Sequence, residues 1–213
     1  MRGAVLSVSL PEPSIPVVIL GVAAVLLATR ALVRRAYLFS PPVRRVVLET
    51  VDAALFAVVL AFVIITFVVQ AFYIPSGSME PTLRVGDRIL VAKFYYRLAP
   101  IQRGDVIVFR YPLNPGKDFV KRVVGLPGDT VELRAGVVFV NGAARPDLTP
   151  SQGDGTCAQN YGPRKVDPGH LFVMGDNRCN SEDSRFFGLV PTRNVVGKAV
   201  LVYWPPHRVG VVR

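Results

Sequence analysis

Between Pro75 and Leu83 the chain reads Pro-Ser-Gly-Ser-Met-Glu-Pro-Thr-Leu, which sets the hydroxyls of Ser76 and Ser78 two residues apart around Gly77. A serine hydroxyl attacks a carbonyl only when a base takes its proton, and a glycine between the serines leaves room for another backbone to come close. Two serines around a glycine are also ordinary loop sequence, so the segment does chemistry only if a base serves it. Histidine is the usual base. The chain has two histidines, His170 in a Pro-Gly-His turn entering a strand and His207 in Pro-Pro-His near the C-terminus, and both read as turn residues. Lysine is the remaining option. Its pKa falls toward a working pH when it is buried among apolar groups, a shift that arginine cannot usefully make.

The segment Phe119-Val-Lys-Arg-Val-Val124 offers such a lysine. If it is a strand, alternation puts Phe119, Lys121 and Val123 on one face and Val120, Arg122 and Val124 on the other. Lys121 is then the member of the Lys-Arg pair with a usable neutral form. A solvent-exposed strand lysine is the competing reading at this point.

The elements that must position these residues fall into two regions. Of 213 residues 51% are hydrophobic, yet the net charge is +10, so apolar and basic residues must occupy different stretches. After a short N-terminal segment (1–14), an apolar run over 15–33 is uncharged from Ile15 to Thr29, with Arg30 near its end placed to snorkel to lipid headgroups. A second run, 53–74, is 22 residues with Gln70 as its only amide, long enough to cross a bilayer. Both are expected to be transmembrane helices. No small-x-small site follows the first, so it reads as an anchor and not a removable leader. The 34–52 segment between the runs, with Arg34, Arg35, Arg44 and Arg45, is expected to be a basic cytoplasmic loop. Residues 75–213 are then extracytoplasmic, and Phe72 and Tyr73 are candidates for the membrane interface.

Beyond Ile74 the pattern changes to short β-rich runs bounded by Gly, Pro, Asn and Asp. Strands are expected over 88–94, 105–110, 119–124, 130–133, 137–140, 171–174 and 195–203, with 143–169 a loop or small protruding ribbon. The fold class is therefore mainly β: two N-terminal transmembrane helices followed by an all-β domain. Cys157 and Cys179 are the only cysteines, and on the oxidising side they are free to form a disulfide or to stay as separate thiols. They and the two scattered histidines have no metal-ligand spacing, so neither metal nor cofactor is expected. The basic balance raises nucleic acid as a partner, but a basic domain tethered beside anionic lipid is better explained as resting on the membrane surface.

Five segments in order now carry a resemblance: Ser76-Gly-Ser-Met-Glu-Pro-Thr-Leu83, Gly86-Asp87, Arg103-Gly-Asp-Val-Ile-Val-Phe109, Lys121-Arg-Val-Val-Gly-Leu-Pro-Gly-Asp129 and Gly175-Asp-Asn-Arg-Cys-Asn-Ser-Glu-Asp-Ser-Arg185. Together, behind a membrane anchor, they resemble the bacterial type I signal peptidases. The resemblance implies a membrane-bound serine endopeptidase that removes leader peptides from exported preproteins after small-x-small sites, near the protein-export machinery. It implies Ser78 as nucleophile, Lys121 as general base, and the Ser76 hydroxyl with the Ser78 N–H as the oxyanion hole. Ser181 corresponds to a serine that orients the lysine, Asp183 and Arg185 to a supporting ion pair, and Gly175, Asp176 and Asn177 open the last motif. Cys179 stands where the family pattern usually has a polar residue. A soluble Ser/Lys autoprotease joined to a DNA-binding module would need a helix-turn-helix where this chain has apolar runs. An inactive, membrane-anchored binding or assembly protein of the same fold would be favoured by loss of Ser78 or Lys121, and both are present.

Overall fold

The computed structural model describes residues 14–35, 40–63, 68–148 and 159–213, which fall into two compact units dividing near Gln70. The first unit is helical. Helix α1 (Ser14–Arg35) and helix α2 (Pro41–Val63) are each long and apolar enough to cross a membrane. Their large apolar side chains, Leu20, Leu27, Leu32, Phe56 and Val59 among them, stay exposed, which suits lipid and not water. Arg30 pairs with Asp52 at 2.7 Å, so the basic residue expected at lipid headgroups has a protein partner on the other helix.

Two expected boundaries move. The 34–52 segment is largely helix, because α2 begins at Pro41 and runs through it. Proline is favoured in a first helical turn, where its missing N–H costs nothing, and Arg45 with Glu49 makes an i,i+4 pair. At the other end α2 stops at Val63, residues 64–67 lie outside the described residues, and Val69–Tyr73 is strand β1. A continuous apolar run does not distinguish a membrane helix from a buried strand, and here one run contains both. Phe72 is consequently a core residue, 1% exposed, and not an interfacial one.

The second unit is all β. Strands β2 (Arg88–Ala92), β3 (Val106–Arg110) and β4 (Asp118–Gly125) follow β1, and a one-turn helix α3 (Tyr95–Leu98) separates β2 from β3. Then come β5 (Thr130–Arg134), β6 (Val137–Val140), β7 (Ala143–Ala144), β8 (Tyr161–Lys165) and β9 (His170–Met174). A short helix α4 (Ser184–Phe187) precedes β10 (Val190–Pro191), β11 (Val195–Trp204) and β12 (Gly210–Val211). The larger sheet has the order β1-β2-β11-β3-β4-β9-β10 with β12 on β11, and the smaller β7-β6-β5-β8. Each of the seven strands expected from the sequence is present. The 143–169 segment supplies both edges of the smaller sheet, β7 and β8, while 149–158 lie outside the described residues.

Strands β3 and β4 are buried on both faces, which is why β3 reads as a continuous apolar run and β4 is apolar on either side of Lys121 and Arg122. Val106, Val108 and Val120 pack with Phe72, Met79, Leu83 and Ile89. Ile107, Phe109, Phe119 and Val123 pack with Leu171, Val173 and Val190. Each such side chain taken out of water contributes about 1.5–3 kcal/mol, enough to hold β4 and the polar groups on it in fixed register. Register places Lys121 opposite Ile107 and Arg122 opposite both Val106 and Met174.

Candidate active site

Ser78 lies in a 3-10 turn, Gly77–Met79, and is 3% exposed. The turn is pinned by Met79 and Leu83, both fully buried, and by the Leu83 N–H donating to the Met79 carbonyl at 2.9 Å. Strand β1 delivers the chain to it: the Ile74 N–H donates to the Asp87 carbonyl and the Gly86 N–H to the Ile74 carbonyl, each at 2.9 Å. Behind the turn, the Asn177 N–H donates to the carbonyl of Ser78 at 3.1 Å. The close backbone approach anticipated at Gly77 occurs at Gly175 instead. A Cβ at Gly175 would sit 2.5 Å from the Ser78 carbonyl oxygen and 2.2 Å from Ser181 Oγ, whereas at Gly77 the nearest atoms it would meet belong to the Glu80 side chain, at 3.0 Å and beyond.

Lys121 reaches this turn from β4. It is 1% exposed, its Nζ lies 2.7 Å from Ser78 Oγ, and it makes no ion pair with any carboxylate among the described residues. Burial pulls its pKa down to about 8; Asp183, Glu182 and Asp176 oppose that shift and Arg185 adds to it. The aromatic face of Phe119 lies 5.7 Å from Nζ and completes the apolar setting. The exposed-lysine reading is thereby excluded.

The 175–185 segment frames the pair. Asp183 and Arg185 form a two-pronged ion pair, 2.8 Å at both contacts, and Asp183 also accepts from the Gly175 N–H at 3.0 Å. Ser181 Oγ is buried with no hydrogen-bond partner among the described residues. It lies beside Gly175 and makes no hydrogen bond to Lys121. Ser76 is half-buried, in extended backbone at the start of the 3-10 turn. Asp176 faces the other side of β4, where Arg122 donates to it through Nε at 2.8 Å and Nη2 at 2.6 Å and Thr82 Oγ1 at 2.6 Å. Cys179 is disulfide-bonded; the chain's only other cysteine, Cys157, lies outside the described residues.

A buried Ser–Lys contact of this kind, with no carboxylate on the lysine among the described residues, is what nucleophilic acyl transfer with a lysine base requires. Comparison with known proteins shows the family. Residues 47–204 match the family model described as signal peptidase, peptidase S26. The chain belongs to the signal peptidase family. It is 46% identical to signal peptidase I of Leptolyngbya laminosa over 163 residues, 72% of this chain and 78% of that one. It is 42% identical to probable signal peptidase I-2 of Synechocystis over 179 residues (81% and 80%), and 38% identical to signal peptidase I of Mycobacterium tuberculosis over 233 aligned positions (81% and 78%). A crystal structure of a signal peptidase I from Enterococcus faecalis aligns at 34% identity and a TM-score of 0.40, covering 47% of this chain and 97% of that one.

Within this signal peptidase domain, sequence reasoning missed the partners that brace the site. Arg122, beyond its bonds to Asp176, donates to the carbonyls of Gly104 at 2.7 Å and Arg213 at 3.0 Å. Arg178, also buried, donates to the carbonyls of Gly175 and Leu148, and burial lowers its pKa to about 10. Alternation did place Arg122 opposite Lys121, and a buried arginine demands a carboxylate. Which carboxylate it finds depends on pairings 54 residues apart.

Proposed function

We propose that this chain is a membrane-anchored serine endopeptidase that removes N-terminal signal peptides from exported preproteins after small-x-small sites, with Ser78 as nucleophile and Lys121 as general base. The observation that carries the reading is the 2.7 Å contact between Ser78 Oγ and a lysine Nζ that is buried and has no carboxylate partner among the described residues. Neutral Lys121 takes the Ser78 proton as Oγ attacks the scissile carbonyl. The resulting ammonium gives that proton to the departing amine, and the lysine then activates the water that releases the acyl group. The Ser76 hydroxyl and the Ser78 N–H are assigned to the developing oxyanion, a contribution of about 3 kcal/mol per donor. Ser181, whose buried Oγ has no hydrogen-bond partner among the described residues, is assigned to orient the lysine amine; Asp183 with Arg185, and Gly175, Asp176 and Asn177, hold the segment that carries it. In a full-length preparation in detergent, Ser78→Ala is expected to lower cleavage of a model preprotein at least ~10³-fold without loss of folding. Activity near wild type in folded Ser78→Ala would discard the reading.

The exposed apolar flanks of α1 and α2 support membrane anchoring, and the five arginines at 30, 34, 35, 44 and 45 support a cytoplasmic connection with the β domain on the outer face. That placement would set the site beside lipid and the export machinery, where translocated leaders emerge. Single cysteines introduced at positions 34 and 116 in a Cys157→Ser/Cys179→Ser background are expected to label from the inside and the outside respectively. A cytoplasmic 116 would put the site in the wrong compartment.

A further inference from the structure

The acidic groups nearest Lys121 are not equally neutralised. Asp183 carries a two-pronged bond from Arg185 and Asp176 one from Arg122. Glu182, next to Asp183, has no cation at ion-pair distance among the described residues; its carboxylate accepts from the hydroxyl of Tyr111 at 2.8 Å. That phenol is neutral. Burial and the bond to Glu182 push its pKa up to about 12.

The geometry ties this pair to the lysine. The Tyr111 ring stacks on Phe119 at 4.4 Å between centroids with 7° between planes, and Phe119 is the aromatic face lying 5.7 Å from Lys121 Nζ. Phe187 closes the group edge-on, 5.3 Å from Tyr111 and 6.2 Å from Phe119. A wall of three aromatic rings thus shields the amine from water and, at its polar end, holds one uncompensated carboxylate in a fixed place. An unscreened charge across an apolar wall acts more strongly than the same charge in water.

We propose that Glu182, held by Tyr111, is the charge that sets the working pH of the Ser78–Lys121 pair. Lys121 meets Ser78 from the turn and Phe119 on its own strand, and the charges acting on it are Asp183, Glu182 and Arg185 from the 175–185 segment and, from the other side of β4, Asp176. Asp183 raises the lysine pKa most and Arg185 offsets it in part; among the described residues, Glu182 alone of the three carboxylates lacks an arginine. Its negative charge favours the ammonium form, so it holds the lysine protonated to a higher pH than burial alone would allow. Glu182 is a positioning residue in this sense: it acts on the base and not on the substrate.

The inference rests on the dyad reading, and the test separates the two. The pH dependence of kcat/KM for a model preprotein is measured on full-length protein in detergent for wild type, Glu182→Gln, Glu182→Asp, Tyr111→Phe and Lys121→Arg. Glu182→Gln is expected to move the alkaline limb to lower pH by about half a unit, so that below the limb its rate exceeds wild type by about threefold. Glu182→Asp keeps the charge and is expected to restore most of the wild-type limb. Tyr111→Phe releases the carboxylate toward solvent and is expected to shift the limb the same way by less. A Glu182→Gln limb coincident with wild type, or a uniform loss of rate at every pH, overturns the inference while an inactive Lys121→Arg keeps the dyad. An active, folded Lys121→Arg overturns the dyad itself.

Discussion

Lys121 and Arg122 are neighbours on one strand, both cationic and both buried, at 1% and 7% exposure, yet the fold treats them in opposite ways. Arg122 is given a carboxylate, a threonine hydroxyl and two main-chain carbonyls, so its charge is met at nearly every donor. Lys121 is given one hydroxyl and an aromatic face. Taking a cation out of water costs several kcal/mol. Where partners offset that cost the group becomes a brace; where they do not, the group sheds its proton more readily, as the proposed base must. Pleat alternation separates the two outcomes by a single position.

The largest expected effect comes from making Lys121 resemble its neighbour. Lys121→Arg keeps a permanent charge where a neutral amine is needed, and turnover of a model preprotein should fall at least ~10³-fold in folded protein. Substantial activity would remove lysine from the base role.

Breaking the brace should act on stability. Asp176→Asn leaves Arg122 as a buried charge without a counter-charge, with an expected loss of about 3–5 kcal/mol in denaturant unfolding. Arg122→Lys, which cannot donate from a planar fork, should lose less, with a drop in Tm on the order of 5 °C. Unchanged melts in both variants would mean that the network is incidental.

The smallest effect has an unusual sign. The folded pKa of Lys121, about 8, lies below the ordinary lysine value of about 10.4. Between those values the unfolded chain holds more protons than the folded one, so stability rises with pH across that window and the cost is fully present below it. Lys121→Met removes the cost, and its Tm at about pH 7 should equal or exceed wild type although it is inactive. A clearly destabilised Met variant, or a wild-type rate that begins to rise only near about pH 10, would mean that Lys121 is an ordinary charged lysine.

Much of this protein was legible in one dimension. The seven expected strands and the two apolar regions follow from local signals, alternation, turn residues and run length, while Ser78 and Lys121 are the candidate pair through the resemblance carried by five motifs in order. Local signals failed where one pattern permits two structures. The apolar stretch ending at Ile74 holds both the end of α2 and strand β1, and Phe72 goes to the core because β1 pairs with β2. Nor could spacing show that Gly175, 97 positions from Ser78, is the glycine whose missing side chain admits the Ser78 carbonyl. The pairing of Arg122 with Asp176 and of Tyr111 with Glu182 belongs to the same class. Residue types decide which chemistry is available, since they set charge, size and intrinsic pKa. The tertiary structure decides which of two adjacent cations is left without a counter-charge, because long-range strand pairing determines what is buried beside what.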